Sequence, residues 1–129
     1  MFIEIEADST VPIYLQLAHQ IIEGVAKGDL KRGDSLPSVR AFAADLGMNM
    51  HTVNKAYHYL EEKEFIEIVS KKGVFIHERS VRAATVSDTD RLKKELRPII
   101  GEALCFSLSM EDLQALLTDI VRDIKEGPT

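Results

Sequence analysis

The amino-acid sequence predicts an α+β fold, mostly helical: a helix pair, a two-stranded hairpin directly after it, and a separate two-helix tail. Residues 36–62 (LPSVRAFAADLGMNMHTVNKAYHYLEE) hold two short amphipathic patterns separated by only Gly47 and Met48. Residues 65–76 hold two β-branched and aromatic runs joined by Ser70-Lys71-Lys72-Gly73. Beyond a polar stretch, apolar residues again recur at helical spacing as far as Ile124. A chain of 129 residues, 45% of them hydrophobic, suffices for one small domain with an appendage. The expected divisions are a first domain at 1–79, a linker at 80–90 and a helical tail at 91–129.

In chain order, residues 1–7 alternate Phe2, Ile3 and Ile5 with Glu4 and Glu6, which predicts a short arm or edge strand. Ser9-Thr10-Val11-Pro12 opens a helix, with proline tolerated in its first turn. Tyr14, Leu17, Ile21 and Val25, with Ala18 and Ile22 beside them, form its buried stripe, and Gly28 ends it. His19 is expected at the surface or partly buried, and residues 29–36 read as a turn-rich connector. In the first helix of the pair, Val39, Phe42, Ala43 and Leu46 fall at i, i+3, i+4 and i+7. Ser38 is placed to cap its N-terminus, and Gly47 stands where a left-handed residue is wanted. Val53, Ala56, Tyr57 and Leu60 repeat the spacing in the second helix, with Asn49 as its cap. Residues 65–69 and 74–76 then form a hairpin whose turn contains glycine.

The polar faces point to chemistry. At about 100° per residue, His51, Lys55, His58 and Glu62 point away from the Val53/Leu60 stripe, with Thr52 and Asn54 flanking them. A helix whose exposed N-terminal half carries Asn, His, Thr and Lys can hydrogen-bond base edges and phosphates in a major groove. Glu61, Glu62 and Glu64 come only in or after the distal half. An ordinary helical hairpin with a solvated outer face would share this spacing. The hairpin with Lys71 and Lys72 at its tip favours instead a winged helix-turn-helix whose wing reaches phosphate or the minor groove. Arg40, two residues after Ser38, can fork a phosphate or read a guanine edge; a salt bridge to Asp34 or Asp45 is its alternative. Ser38 can serve as cap and phosphate ligand. The net charge of −5 argues against simple DNA binding, but Lys31, Arg32, Arg40, Lys55, Lys71 and Lys72 lie near the predicted contact surface while the acids gather elsewhere.

These residues resemble a known family. The PIY opening of the first helix, the G-x-L-x-x-G-D-x-L-P-S-x-R passage of residues 28–40, Phe42 to Gly47, the T-V-x-K-A-Y of residues 52–57 and the closing Gly73-Val74-Phe75-Ile76 together resemble the DNA-binding domain of the GntR family of bacterial transcriptional regulators. The short remaining tail is most similar to the YtrA-type branch. The resemblance implies a sequence-specific DNA-binding regulator, a repressor that binds a near-palindromic operator as a homodimer, with ABC-transporter genes as targets. It also implies that Arg40 stands where family members place an arginine against DNA. The expected DNA-binding set is Ser38, Arg40, Asn49, His51, Thr52, Asn54, Lys55, Lys71, Lys72 and Gly73. Two departures matter: Met50 and Asn54 stand near positions where other branches carry arginines, and Lys71 stands where a first wing glycine would be.

In the tail, Leu92, Leu96, Ile99, Ile100, Ala103 and Leu104 predict one helix, with Pro98 kinking or breaking it near Arg97. Ser109 with Asp112 predicts a capped second helix bearing Leu113, Leu116, Leu117, Ile120, Val121 and Ile124. Their apolar faces suit pairing with a second copy, through Leu92, Leu96, Ile99, Leu113, Leu116, Leu117, Ile120 and Ile124. Folding back onto the first domain, giving a monomer, is the alternative. Cys105, between Leu104 and Phe106, is expected to be a small buried hydrophobe. His51 and His58 stand two turns apart, too far for one metal ion without further ligands. No metal site, cofactor or catalytic constellation is expected, and no apolar run is long enough to cross a bilayer. The expected location is the cytoplasm. A winged-helix protein adaptor and a sensor holding a small effector at the tail remain the competing functions.

Overall fold

Apolar residues three and four apart wind Ile13–Lys27 into the first helix, α1, of the computed structural model, which describes residues 3–127. Leu17, Ala18, Ile21 and Val25 are its buried face. Pro12 stands at the N-cap, one position before the first turn, and Gly28 closes the helix in the left-handed conformation with φ 92°.

Ahead of α1 the chain is an arm and not a strand. Its alternation is explained by Gln16 and Gln20, one turn apart on α1, whose amides supply what a neighbouring strand would. The Glu4 N–H donates to Gln20 Oε1 at 2.8 Å and Gln20 Nε2 donates back to the Glu4 carbonyl. Gln16 makes the same pair with Glu6, at 2.8 and 3.0 Å. Ile3 packs on the core, while Met1 and Phe2 lie outside the described residues.

The connector after α1 contains an element that the sequence pattern did not reveal. Ser35–Leu36 forms a two-residue strand, β1, too short for any alternation to register. β1 is followed by α2 (Val39–Leu46), α3 (Met50–Glu62), β2 (Ile66–Val69) and β3 (Gly73–Ile76). The three strands form an antiparallel sheet in the order β1-β3-β2, with Leu36 opposite Val74 and Ile68 opposite Val74 from the other side. The predicted hairpin thus gains a third strand that ties the wing to the start of the helix pair.

Both caps of the pair are as the sequence indicates. Ser38 Oγ accepts from the Ala41 N–H at 3.1 Å, and Gly47 is left-handed with φ 63°. Asn49 Oδ1 accepts from the His51 N–H at 2.7 Å. The core that α1, α2, α3 and the sheet share includes Leu17, Ile21, Val53, Tyr57, Leu60, Ile66 and Ile76, all at most 1% exposed. Phe42 packs its ring 6.1 Å from that of Tyr57. The Tyr57 hydroxyl donates to the Pro37 carbonyl at 2.7 Å, fastening α3 to the residue just before the Ser38 cap.

Residues 82–129 form a second compact unit. It contains α4 (Val86–Cys105) and α5 (Met110–Glu126), each opened by a reciprocal capping box, Thr85 with Asp88 and Ser109 with Asp112. The Arg82 guanidinium beside Asp88 and the Thr85 N–H hold its carboxyl well below the usual range; the Ser109 backbone N–H and hydroxyl lower Asp112 in the same direction.

Two expectations for this region are corrected, and of the two readings of Pro98, kink or break, the break is removed. The linker expected at 80–90 is helical from Val86 onward, because Thr85 and Asp88 form a cap that the polar composition concealed; residues 78–80 are a 3₁₀ turn. Pro98 does not break α4. It removes one amide donor, and the Lys94 carbonyl that would have accepted from it lies in an exposed stretch, open to solvent. Cys105 is exposed, lying about 200° around the helix from Ala103, the residue of α4 that is buried.

Replacing Tyr57 by Phe keeps the ring and leaves the Pro37 carbonyl without its donor. Denaturant unfolding at pH 7 is expected to show a loss of about 1–3 kcal/mol. Burial pushes the Tyr57 phenol above its ordinary value of 10.0. The unfolded chain therefore ionises first, and the stability tied to this group is full below pH 10 and lost as pH rises beyond it. The gap between wild type and Tyr57→Phe should narrow above pH 10.

Candidate nucleic-acid interface

The helix pair presents its polar groups at two helix starts. Ser38 and Arg40 open α2, and both are exposed. Ser38 uses an oxygen lone pair as the cap, so its hydroxyl hydrogen is left to donate. Arg40 forms no ion pair among the described residues, and the Asp34 carboxylate is engaged with the Lys31 N–H at 2.8 Å. The alternative of a salt bridge to Asp34 or Asp45 is not realised, and the five guanidinium donors are open.

Asn49, His51, Asn54, Lys55 and His58 are exposed along α3, while Thr52 is half-buried. The cap occupies one lone pair of the Asn49 carbonyl oxygen and leaves both donors of its side-chain amide unengaged. Donors meet acceptors, and the guanine edge in the major groove offers two of them, N7 and O6. Lys55 is less free than its place on the helix suggests: its ammonium lies 4.4 Å from the centre of the Tyr14 ring on α1. No group of three metal-binding side chains occurs among the described residues.

At the wing, Lys71, Lys72 and Gly73 are exposed at the turn between β2 and β3. Lys71 is left-handed with φ 67°, and the Lys72 N–H closes the turn on the Val69 carbonyl at 3.0 Å. A lysine thus holds the conformation that a glycine would adopt without strain, at a cost of about 1 kcal/mol.

The acids behind these donors are partly spoken for. The Glu61 carboxylate accepts from the Ile68 N–H at 3.0 Å, and Glu64 pairs with Arg79 at 3.1 Å. Sequence reading placed these residues only by their position in or after the distal half of the helix; Glu61 also braces the edge strand β2 against α3. Tyr14 and Tyr57 are further residues that sequence reading placed only in the core. A tyrosine on an apolar stripe carries no mark of where its ring face or hydroxyl will be used.

In the second unit, Leu92, Leu96, Ile99, Leu116, Leu117 and Ile120 are 46–62% exposed, and Leu113 and Ile124 are half-buried. Most large apolar side chains of α4 and α5 thus remain open to solvent. No helix among the described residues is long and apolar enough to cross a membrane.

Comparison with known proteins agrees with this geometry. Residues 13–76 match the family described as bacterial regulatory proteins, gntR family. The chain is similar to the HTH-type transcriptional repressor YtrA of Bacillus subtilis (strain 168), at 34% identity over 97% of this chain and 96% of that protein. Among solved structures it resembles a transcriptional antiterminator from Listeria monocytogenes EGD-e, with a TM-score of 0.90 and 32% identity covering 100% of this chain and 96% of that one. It also resembles YtrA from Sulfolobus acidocaldarius, a GntR-family transcription factor, with a TM-score of 0.61 and 45% identity over 80% and 97% of the two chains. A DNA-binding winged helix-turn-helix with a helical tail, this chain belongs to the GntR family of bacterial transcriptional regulators.

Proposed function

We propose that this chain is a repressor that binds a near-palindromic operator as a homodimer, reading DNA with α3 and the start of α2 and pairing through α4 and α5. The observation that carries it is the division of labour between the two units. The first concentrates unpaired donors at the starts of α2 and α3 and at the wing. The second leaves a row of large apolar residues exposed on two well-capped helices. Apolar surface of that extent is covered in stable proteins, and a second copy presents the same surface with two-fold symmetry.

In this reading Arg40, Asn49, His51, Thr52 and Asn54 face the bases, Ser38 holds phosphate, and Lys71, Lys72 and Gly73 approach the backbone or minor groove. A two-fold axis through the tails would set half-sites about one helical turn, ~10 bp, or a multiple of it apart. Occupying a promoter represses it. Similarity to a protein described as a repressor supports that sense of regulation. Resemblance to YtrA-type regulators adds ABC-transporter genes as targets and the cytoplasm as the place of action.

Selection of bound duplexes from a random pool, with the mass of the purified chain measured alongside, is expected to recover an inverted repeat bound by a dimer. A fragment of residues 1–81 should remain folded, run as a monomer and bind the same duplex on the order of 100-fold more weakly, because the two half-sites are no longer engaged together. A fragment that still dimerises, or a full chain that recovers no motif, would count against the proposal.

Arg40→Ala should reduce operator affinity by about 1–3 kcal/mol and affinity for a scrambled duplex by less, as expected of a bidentate base contact. Equal losses on the two duplexes would make it a phosphate ligand. Lys72→Ala should lower the slope of log K against log salt by about one unit if the wing touches one phosphate; an unchanged slope would place the wing off the DNA.

A further inference from the structure

Lys55 on α3 and Lys63 at its C-cap each rest an ammonium against an aromatic ring. Lys55 is 4.4 Å from the centre of Tyr14, and Lys63 is 5.2 Å from the centre of Tyr59. The rings brace one another across the α1–α3 seam. Tyr14 meets Tyr59 edge-on at 6.4 Å and 74°, and His19 meets Tyr59 from its other neighbour position on α1 at 6.3 Å and 72°. Tyr14 is half-buried, and its ring is therefore a fixed surface, while Lys55 is exposed and forms no ion pair among the described residues.

That placement bears on what Lys55 can reach. His51 and His58 stand on the outermost line of α3, opposite its buried stripe. The Lys55 side chain leans off that line toward α1, and its ammonium ends at the flank of the helix. For a helix seated in a major groove, the outermost line meets base edges and the flanks meet the sugar-phosphate walls. Lysine is a compact point charge suited to phosphate, without the planar fork that reads a base bidentately. Contact with a ring face takes one side of the ammonium and leaves N–H donors directed outward.

We propose that Lys55 is a DNA-backbone contact seated by the Tyr14 ring, and that Tyr14 is a positioning residue for duplex binding. The proposal rests on the DNA-binding reading and deepens it: within the DNA-binding set, Lys55 supplies affinity common to all sequences. The ring holds a long flexible side chain near the position it occupies in the complex, reducing the ordering that binding must impose.

The test uses the full-length chain, the duplex recovered by selection and a scrambled duplex of equal length, each titrated across a salt series. Lys55→Met should weaken both duplexes by the same factor and lower the slope of log K against log salt by about 0.9, the value for one phosphate. Tyr14→Leu should weaken both by about two- to five-fold, the equivalent of one exposed ring–cation contact. Tyr14→Phe, which keeps the ring, should bind as wild type does. In the Lys55→Met background Tyr14→Leu should add nothing, an outcome that a merely structural Tyr14 would not produce. Loss on the selected duplex alone, an unchanged slope for Lys55→Met, or the full Tyr14→Leu loss persisting without Lys55 would each overturn the proposal. A wild-type chain that binds neither duplex would instead remove the DNA-binding reading beneath it.

Discussion

The hydrogen bond from the Tyr57 hydroxyl to the Pro37 carbonyl sets the geometry on which the polar surface of the first unit depends. Tyr57 is fully enclosed, its ring against Phe42 and its stem on α3, yet its one polar atom ends on the residue immediately before the α2 cap. The start of α2 is thereby indexed to the middle of α3. Ser38 and Arg40 on one helix and Asn49 to Asn54 on the other can address one ligand only if that relation is rigid. A buried phenol bonded to a backbone oxygen provides rigidity at little entropic cost, because the ring has only two rotatable bonds. The phenol is already a donor at neutral pH at its ordinary pKa of 10.0, and burial raises that value further.

A second constraint is the economy of polar groups. Cap side chains are also candidate DNA ligands, and each can use a given lone pair once. Ser38 and Asn49 both spend an acceptor on the helix and retain donors. Arg40 has donors alone. The exposed groups at the two helix starts are thus strongly biased toward donation, matching the acceptor-rich phosphates and guanine edges of a duplex. This bias reconciles the acidic net charge with DNA binding: Glu61 is tied to β2 and Glu64 to Arg79, so two of the nearby acids are held by their own domain.

The tail obeys different physics. Reciprocal capping boxes at Thr85/Asp88 and Ser109/Asp112 and an ion pair between Arg82 and Asp88 define where α4 and α5 begin. Capping stabilises helix ends but buries almost nothing, and most helical stability in proteins comes from packing an apolar face. On α4 and α5 most of the large apolar side chains stay exposed. Their residual demand for a partner is the physical basis of the dimer proposal.

Much of this was legible in residue order. Periodicity located the five α-helices of the described residues, because burying one face at 3.6 residues per turn leaves a repeating mark, and Ser38, Gly47, Asn49, Gly28 and Ser109 marked ends through local hydrogen bonding that needs no distant partner. The hairpin was legible for the same reason. Other features depend on contacts between residues far apart in the chain. β1 is a strand only because β3 lies beside it; the arm is held by two glutamine amides 10 and 16 residues away, not by a strand ladder. Cys105 looked buried among apolar neighbours, yet its angular position on α4 leaves it exposed. Pro98 looked disruptive, yet an exposed helix can leave one carbonyl to water. Sequence by itself determined the α-helices, the hairpin, most of their caps and the family, since these follow from local periodicity and local bonds, but neither β1 nor the Thr85 cap of α4. Tertiary structure alone decided which tyrosine fastens the helix pair, which acid braces the wing and where the Lys55 ammonium rests, because those depend on side chains that meet only after α1, α2, α3 and the sheet have closed around a common core.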